Sequence, residues 1–183
     1  MRSEKKKENE KNTKTCNCGR NDMCPLMGKC LTRSVVYNVK VEITGRKKQY
    51  IIEKNNLEAI EKLEKAKKEI FKPKKVEYYT GLTEGRMKDR IYKHHYDFRH
   101  RNFEKRTSLS KYIWKLKDHY YQYNLEWKIM SLAKSYNPSS KSCNLCTKEK
   151  LFIIFKPEIS TLNERKEILK KCMHRRKWLM QEN

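Results

Sequence analysis

Three groups of side chains in this sequence could do chemistry. The first is a set of thiols. Cys16-Asn17-Cys18 is followed by Cys24 and Cys30, within fifteen residues that also hold Gly19, Pro25 and Gly28. Four thiolates in so short and turn-rich a segment suit one tetrahedral zinc, whose binding would replace a missing core. The spacing of one, five and five intervening residues is not that of a standard finger, and unpaired structural cysteines are the alternative. The second group is Cys143-Asn144-Leu145-Cys146, a knuckle able to grip a metal with both thiolates, with Cys172 and His174 further on as two more ligands. Positions two apart do not share a helix face, so a helix starting near Leu162 must end or distort before that pair. A buried cysteine pair with an exposed histidine is the plainer alternative. The third group is Arg86, Arg90 and His94, each four residues after the last, beside Tyr78-Tyr79. On a helix they project together, a cationic row that could seat a phosphodiester. A solvated basic helix face is the ordinary alternative.

These groups need elements to hold them. Val35 to Ile43 reads as a half-buried strand, alternating from Tyr37 onward, and Thr44-Gly45-Arg46-Lys47 as a turn. Gln49 to Ile52 reads as a short return strand, and Leu57, Ile60, Leu63, Ala66 and Ile70 recur at helical spacing. Pro73 ends that helix before a strand from Val76 to Tyr79. Gly81 is expected to turn the chain sharply, and Thr83 to cap a helix that buries Met87, Ile91 and Phe98. Arg99 to Arg106 reads as a basic loop of the kind that tracks a DNA backbone. Arg99, Arg101, Lys105 and Arg106, with Arg86 and Lys111 on the flanking helices, are the candidate DNA contacts. Thr107 or Ser108 can cap a helix that turns Leu109, Tyr112, Ile113 and Leu116 inward. Tyr121, Tyr123, Leu125, Trp127 and Ile129 alternate as a third strand. Ser135 to Ser142 reads as a turn-rich loop delivering the knuckle, and Asn163 as a cap for the run that follows it.

Composition narrows the partners. The 183 residues carry a formal charge of +23, and hydrophobic and charged residues each make up 37%. The core must be thin, and so large a cationic excess attracts polyanions, with affinity falling as salt rises. A nucleic acid is the expected partner ahead of an acidic membrane surface. There is no long apolar run and no pattern of charge followed by an apolar block, so the expected setting is intracellular, with no membrane partner and thiols kept reduced. An odd count of seven clustered cysteines then fits metal ligands better than disulfides. Residues 1–14 read as a disordered basic tail. Within it Ser3-Glu4-Lys5-Lys6-Lys7 reads either as a nuclear import signal, which would make the protein nuclear, or as a solvated tail.

Tyr79-Thr80-Gly81, with Arg90 nine residues after the glycine and His94 four beyond, resembles the second half of a GIY-YIG endonuclease core, and Val35-Val36-Tyr37 its first half. The variant most similar is the endonuclease module of Penelope-like retroelements. That likeness takes in Cys24-Pro25-Leu26-Met27-Gly28-Lys29-Cys30, Leu109-Ser110-Lys111-Tyr112-Ile113-Trp114 and Cys143 to Leu151. It continues through Leu162-Asn163-Glu164-Arg165 and Lys171-Cys172-Met173-His174, and covers roughly residues 16 to 180. The family's two tyrosine motifs usually lie on strands joined by a short hairpin, whereas residues 38–78 separate Tyr37 from Tyr79 here. Val35 replaces the usual glycine, Thr80 the usual isoleucine, and the family's second histidine is absent. An inserted arm could still leave the two strands paired, because loop length costs only logarithmically in entropy.

The resemblance implies an α+β fold, a small antiparallel sheet of about three strands flanked by helices. It organises the chain as a Cys-rich, zinc-binding lead-in over 15–33 and a nuclease domain over 34–183, with a strand-and-helix arm inserted at 46–75. It also implies roles. Glu149, which in Thr-Lys-Glu-Lys would otherwise read as a surface charge, would hold one catalytic Mg²⁺ (or Mn²⁺). Arg90 would clamp the scissile phosphate, and Tyr37 or Tyr79 would position and deprotonate the attacking water. His94 would touch phosphate or assist proton transfer, and Asn163 would support the site. The implied activity is metal-dependent nicking of DNA that primes reverse transcription, with a reverse transcriptase domain of a longer polyprotein as a further partner. Whether the copy is active, a fragment or domesticated stays open, as do oligomeric state and target. The rival is a non-catalytic, zinc-stabilised nucleic-acid-binding protein, with RNA as a weaker alternative ligand.

Overall fold

In a computed structural model the described residues are 15–19, 23–46, 71–134, 136–137, 139, 141–172 and 174. The expected return strand at Gln49 to Ile52, the helix from Leu57 to Ile70 and the tail over 1–14 lie outside them. The elements are β1 (Val35–Arg46), β2 (Val76–Thr83), α1 (Met87–Asp97), a 3₁₀ turn (Arg101–Arg106), α2 (Ser108–Asp118) and β3 (Tyr121–Leu132). They are followed by the two-residue pair β4 (Tyr136–Asn137) and β5 (Ser142–Cys143), α3 (Asn144–Phe155), a 3₁₀ turn (Pro157–Ile159) and α4 (Arg165–Leu169). The molecule is α+β, built on a three-stranded antiparallel sheet in the order β2-β1-β3. None of its described helices is long and apolar enough to cross a membrane.

Strand alternation explains the layering. On β1, Val35, Tyr37, Val39 and Val41 point to one face and are fully buried, and Tyr79 and Trp127 of the neighbouring strands are nearly so. Met87 and Ile91 of α1, Phe98 just after it, and Leu109, Ile113 and Leu116 of α2 close that face. The opposite face carries Val36, which packs with Cys143, Leu145 and Leu82 in a smaller cluster under α3. Burying these side chains removes apolar surface from water at about 25 cal/mol per Å², and this thin core is what holds the sheet to its helices.

The two tyrosine-bearing strands are direct neighbours. β1 and β2 pair with Tyr37 opposite Gly81 and Val39 opposite Tyr79. Against β3, the register slips between Val36 and Tyr37, so that Met130 has no partner opposite it. A bulge beside Tyr37 bends the strand locally and re-aims its side chains.

Four local expectations are corrected. Gly81 makes no turn: it lies inside β2, and a Cβ there would stand 2.6 Å from the Tyr37 hydroxyl and 2.9 Å from the Tyr79 ring. The glycine makes room for a phenol rather than bending the chain. Thr83 is the last residue of β2, not a helix cap; α1 starts after Arg86 without a side-chain cap. Thr44 to Arg46 continue β1, because Arg46 still has Tyr121 of β3 to pair with and stacks over its ring at 4.2 Å. The basic loop is wound into a 3₁₀ turn over Arg101–Arg106, tied down by the ion pairs described below. Thr107 does cap α2, accepting from the Ser110 N–H at 3.0 Å, and α4 ends at Leu169, before Cys172 and His174.

Candidate active site and metal cages

The site begins at the Tyr37 hydroxyl, which is fully buried. Arg90 Nε donates to it at 2.8 Å and His94 Nε2 lies 2.8 Å from it on the other side. An arginine N–H can only donate, so the Tyr37 oxygen accepts from Arg90, and in the Nδ1–H tautomer of His94 its own O–H donates to Nε2. His94 Nδ1 is a buried atom without a hydrogen-bond partner in the structure. Burial first, and then the Arg90 charge, hold His94 well below its ordinary value, so the ring is neutral. Burial pushes Tyr37 up, against the pull of Arg90, and pushes Tyr79 well up. Arg90 is raised above its ordinary value, first by the Tyr37 oxygen, and stays a guanidinium. His94 sits among the rings of Tyr37, Tyr79, Phe98 and Trp127, at centroid distances of 5.5–6.1 Å.

The row Arg86, Arg90, His94 therefore divides. Arg86 points to solvent and is paired with Asp89 at 2.8 Å, while Arg90 and His94 turn inward onto one phenol.

Acidic groups enter from the outer edge of β2. Asn163 behaves there like a short extra strand: its Oδ1 accepts from the Thr80 N–H at 2.8 Å and its Nδ2 donates to the Thr80 carbonyl at 2.8 Å. It is not a helix cap, since Glu164 caps α4 through a reciprocal box with Glu167. Glu167 was not among the residues singled out by sequence. Its carboxylate accepts from Asn163 Nδ2 (2.9 Å), the Glu164 N–H (3.1 Å) and Ser108 Oγ (3.0 Å), joining the edge of β2 to the start of α2. The only signal that could have found it is the capping box Glu164-Arg165-Lys166-Glu167, which speaks of a helix start and not of a site. Glu149, half-buried on α3, feels Glu167, Arg90 and Tyr37. Burial and then repulsion from Glu167 push its carboxyl up to about 7, against the pull of Arg90. A carboxylate is a hard oxygen donor of the kind that divalent cations such as Mg²⁺ take.

The cysteine groups close into two cages. Donor atoms of Cys16, Cys18, Cys24 and Cys30 all lie within 4.8 Å of one another, as do those of Cys143, Cys146, Cys172 and His174. Sγ–Sγ distances of 3.5 Å occur in both. His174 Nδ1 lies 3.3, 3.4 and 3.7 Å from the three sulfurs of its group. Zinc bonds of roughly 2.3 Å to sulfur and 2.0–2.1 Å to nitrogen give tetrahedral edges of about 3.8 and 3.6 Å. Both groups could therefore hold a metal ion such as zinc, with all seven cysteines unbridged.

The candidate DNA contacts fare unevenly. Arg86, Arg101, Arg106 and Lys111 are ion-paired with Asp89, Asp118, Asp97 and Glu164. Each partner lowers the net charge offered to a phosphate. Arg99 and Lys105 are exposed. Lys105, Arg106 and Lys111, with Glu164, Glu167 and Lys170, line a cleft of about 170 Å³.

No protein-family model, no curated protein and no solved structure matches this chain.

Proposed function

We propose that the protein is a metal-dependent DNA endonuclease of the GIY-YIG type, a nicking enzyme like the module of Penelope-like retroelements. The observation that carries this reading is the Tyr37 hydroxyl held between Arg90 and His94, both at 2.8 Å, within electrostatic reach of the Glu149 carboxylate. Net charge and the exposed Arg99 and Lys105 support a polyanionic substrate.

Arg90 clamps the scissile phosphate with its remaining donors, and turning toward the phosphate uncovers the Tyr37 oxygen to water. Tyr37 takes a proton from the attacking water as its own proton passes to His94 Nε2. The water oxygen bonds to phosphorus as the bond from phosphorus to the 3′-oxygen breaks, and that 3′-oxygen leaves with a proton from bulk water. No phenolate builds up in a pocket whose burial disfavours one. Tyr79 walls the pocket, and Asn163 fixes the edge of β2 on which both Tyr79 and Gly81 stand. Glu149, supported by Glu167, is the site for Mg²⁺ or Mn²⁺, which when bound would neutralise charge on the phosphoryl oxygens and make water more acidic. The two cages hold structural zinc. Nuclear localisation and a reverse transcriptase partner belong to the same proposal.

The test is nicking of supercoiled plasmid with Mg²⁺ and with chelator, beside Arg90→Ala and Glu149→Gln, with DNA affinity measured in parallel. Mg²⁺-dependent nicking lost in both variants, with affinity kept by Glu149→Gln, is the expected result. Salt-sensitive binding without a nick under any divalent ion would instead make the protein a zinc-stabilised binder.

A further inference from the structure

The two cages sit at the starts of the two helices that carry opposite sides of the proposed site. α1, which bears Arg90 and His94, has no side-chain cap. Its first two N–H groups are taken by the Cys-rich segment instead: Met87 N donates to the Thr32 carbonyl at 2.9 Å and Lys88 N to the Cys30 carbonyl at 2.7 Å. Cys30 is thus both a cage member and a backbone cap. Lys88 Nζ adds a bond to Asn17 Oδ1 at 2.9 Å and lies 3.8 Å from Cys18 Sγ. Orphan amides at a helix start need such acceptors, and here no side chain of the helix supplies them.

At the other end, Cys143 is the residue from which α3 starts, again without a side-chain cap, and Cys146 lies in its first turn. Glu149 follows one turn later on the same side of the helix. Of the residues of α3, only Leu145 and Ile153 are buried, while Leu151, Ile154 and Phe155 are exposed, so packing alone grips this helix weakly. Cys172 and His174 arrive from beyond α4, whose start carries Glu167. Lys150 Nζ to the Lys170 carbonyl, at 3.0 Å, is a second tie between the same two segments. Closing this cage pins α3 to the chain leaving α4, and so sets Glu149 against Glu167.

We propose that each cage, closed on Zn²⁺, positions one side of the hydrolytic centre: Cys16, Cys18, Cys24 and Cys30 set the Arg90 helix, and Cys143, Cys146, Cys172 and His174 set the Glu149 helix. The inference rests on the nuclease reading only for what those helices do; the structural coupling is independent of it. Zinc removal then has two separable effects, one on phosphate clamping and one on the divalent-cation site.

The experiment uses the full chain, with zinc content, amide hydrogen exchange and Mn²⁺ binding as readouts. The wild type should hold two zinc ions. Cys18→Ser should lose one and speed exchange at the start of α1 by tenfold or more, leaving α3 and Mn²⁺ affinity within twofold. Cys146→Ser should lose the other, speed exchange through α3 by the same factor and weaken Mn²⁺ binding by tenfold or more, with α1 unchanged. Cys146→His, which keeps a zinc donor, should restore the protection of α3. Fewer than two zinc ions in the wild type, unchanged exchange in both helices, or loss of protection in both helices from either serine variant would overturn the proposal. Absence of any Mn²⁺ site in the wild type would sink the nuclease reading alone, because zinc content and exchange still decide the coupling.

Discussion

The two sides of the proposed site are held by different means. Tyr37, Arg90 and His94 form a closed set, two hydrogen bonds of 2.8 Å inside a wall of aromatic rings on a paired sheet. Glu149 stands on a helix that buries little, beside a like charge. The first side is ordered before any ligand arrives, because satisfying a buried phenol orients both of its partners. The second is strained in charge, and a group kept at a cost in stability is where a cation has most to offer.

The sharpest test of that contrast removes the strained carboxylate. Glu149→Gln should lower cleavage by about 10³-fold or more while DNA affinity stays within twofold, as expected when a group acts only in the transition state. Cleavage within tenfold of the wild type in plasmid assays would remove Glu149 from the chemistry. Next, Tyr37→Phe should cost roughly 10²–10³ in rate, against less than tenfold for Tyr79→Phe. Equal losses would show that the hydrogen-bonded phenol is not the one that moves the proton.

Gly81→Ala probes the ordered side through stability. The added methyl meets the Tyr37 hydroxyl, so unfolding in denaturant should register a loss of about 1–3 kcal/mol. An unchanged midpoint would mean that the Tyr37 pocket gives way easily.

The strained side carries its own pH signature. Glu149, raised to about 7, keeps its proton in the folded protein where the unfolded chain has already lost it. Stability from this group is therefore fully present below the ordinary carboxylate range and is lost as pH rises through about 7. Thermal unfolding should show Glu149→Gln more stable than wild type near pH 8 by several degrees, at roughly 2–4 °C per kcal/mol, with most of the gain gone near pH 5. A gain independent of pH would contradict the charge repulsion. The smallest effect belongs to Arg101, already paired with Asp118. Arg101→Ala should leave the slope of log affinity against log salt almost unchanged, whereas Lys105→Ala should reduce it by about 1.

Much of the fold could be read directly from residue types. The alternation at Tyr37–Ile43 and Tyr121–Ile129, the helical spacing of Met87, Ile91 and Phe98, and the Thr107 cap are local patterns, because strand and helix periods are properties of consecutive residues. The membership of both cages was also visible, since cysteine is scarce and its clusters stand out. Local signals misled where a long-range partner took precedence. Gly81 and Thr44-Gly45-Arg46 carry turn residues, but pairing with Tyr37 and with β3 keeps both segments extended. Thr83 has the chemistry of a cap, yet the carbonyls of Thr32 and Cys30 supply it.

Sequence by itself determined the strong positive charge, the strand and helix periods, and two groups of side chains able to hold a metal. Only the tertiary structure decided that Arg90 and His94 share one phenol while Arg86 turns away, that Asn163 braces the edge of β2 and that Glu167 comes within electrostatic reach of Glu149. Those facts depend on which distant segments meet. Tyr37 lies 57 positions from His94 and Thr80 lies 83 from Asn163. Hydrogen bonds and charge repulsion act over a few ångströms in space, and spacing along the chain does not encode that distance.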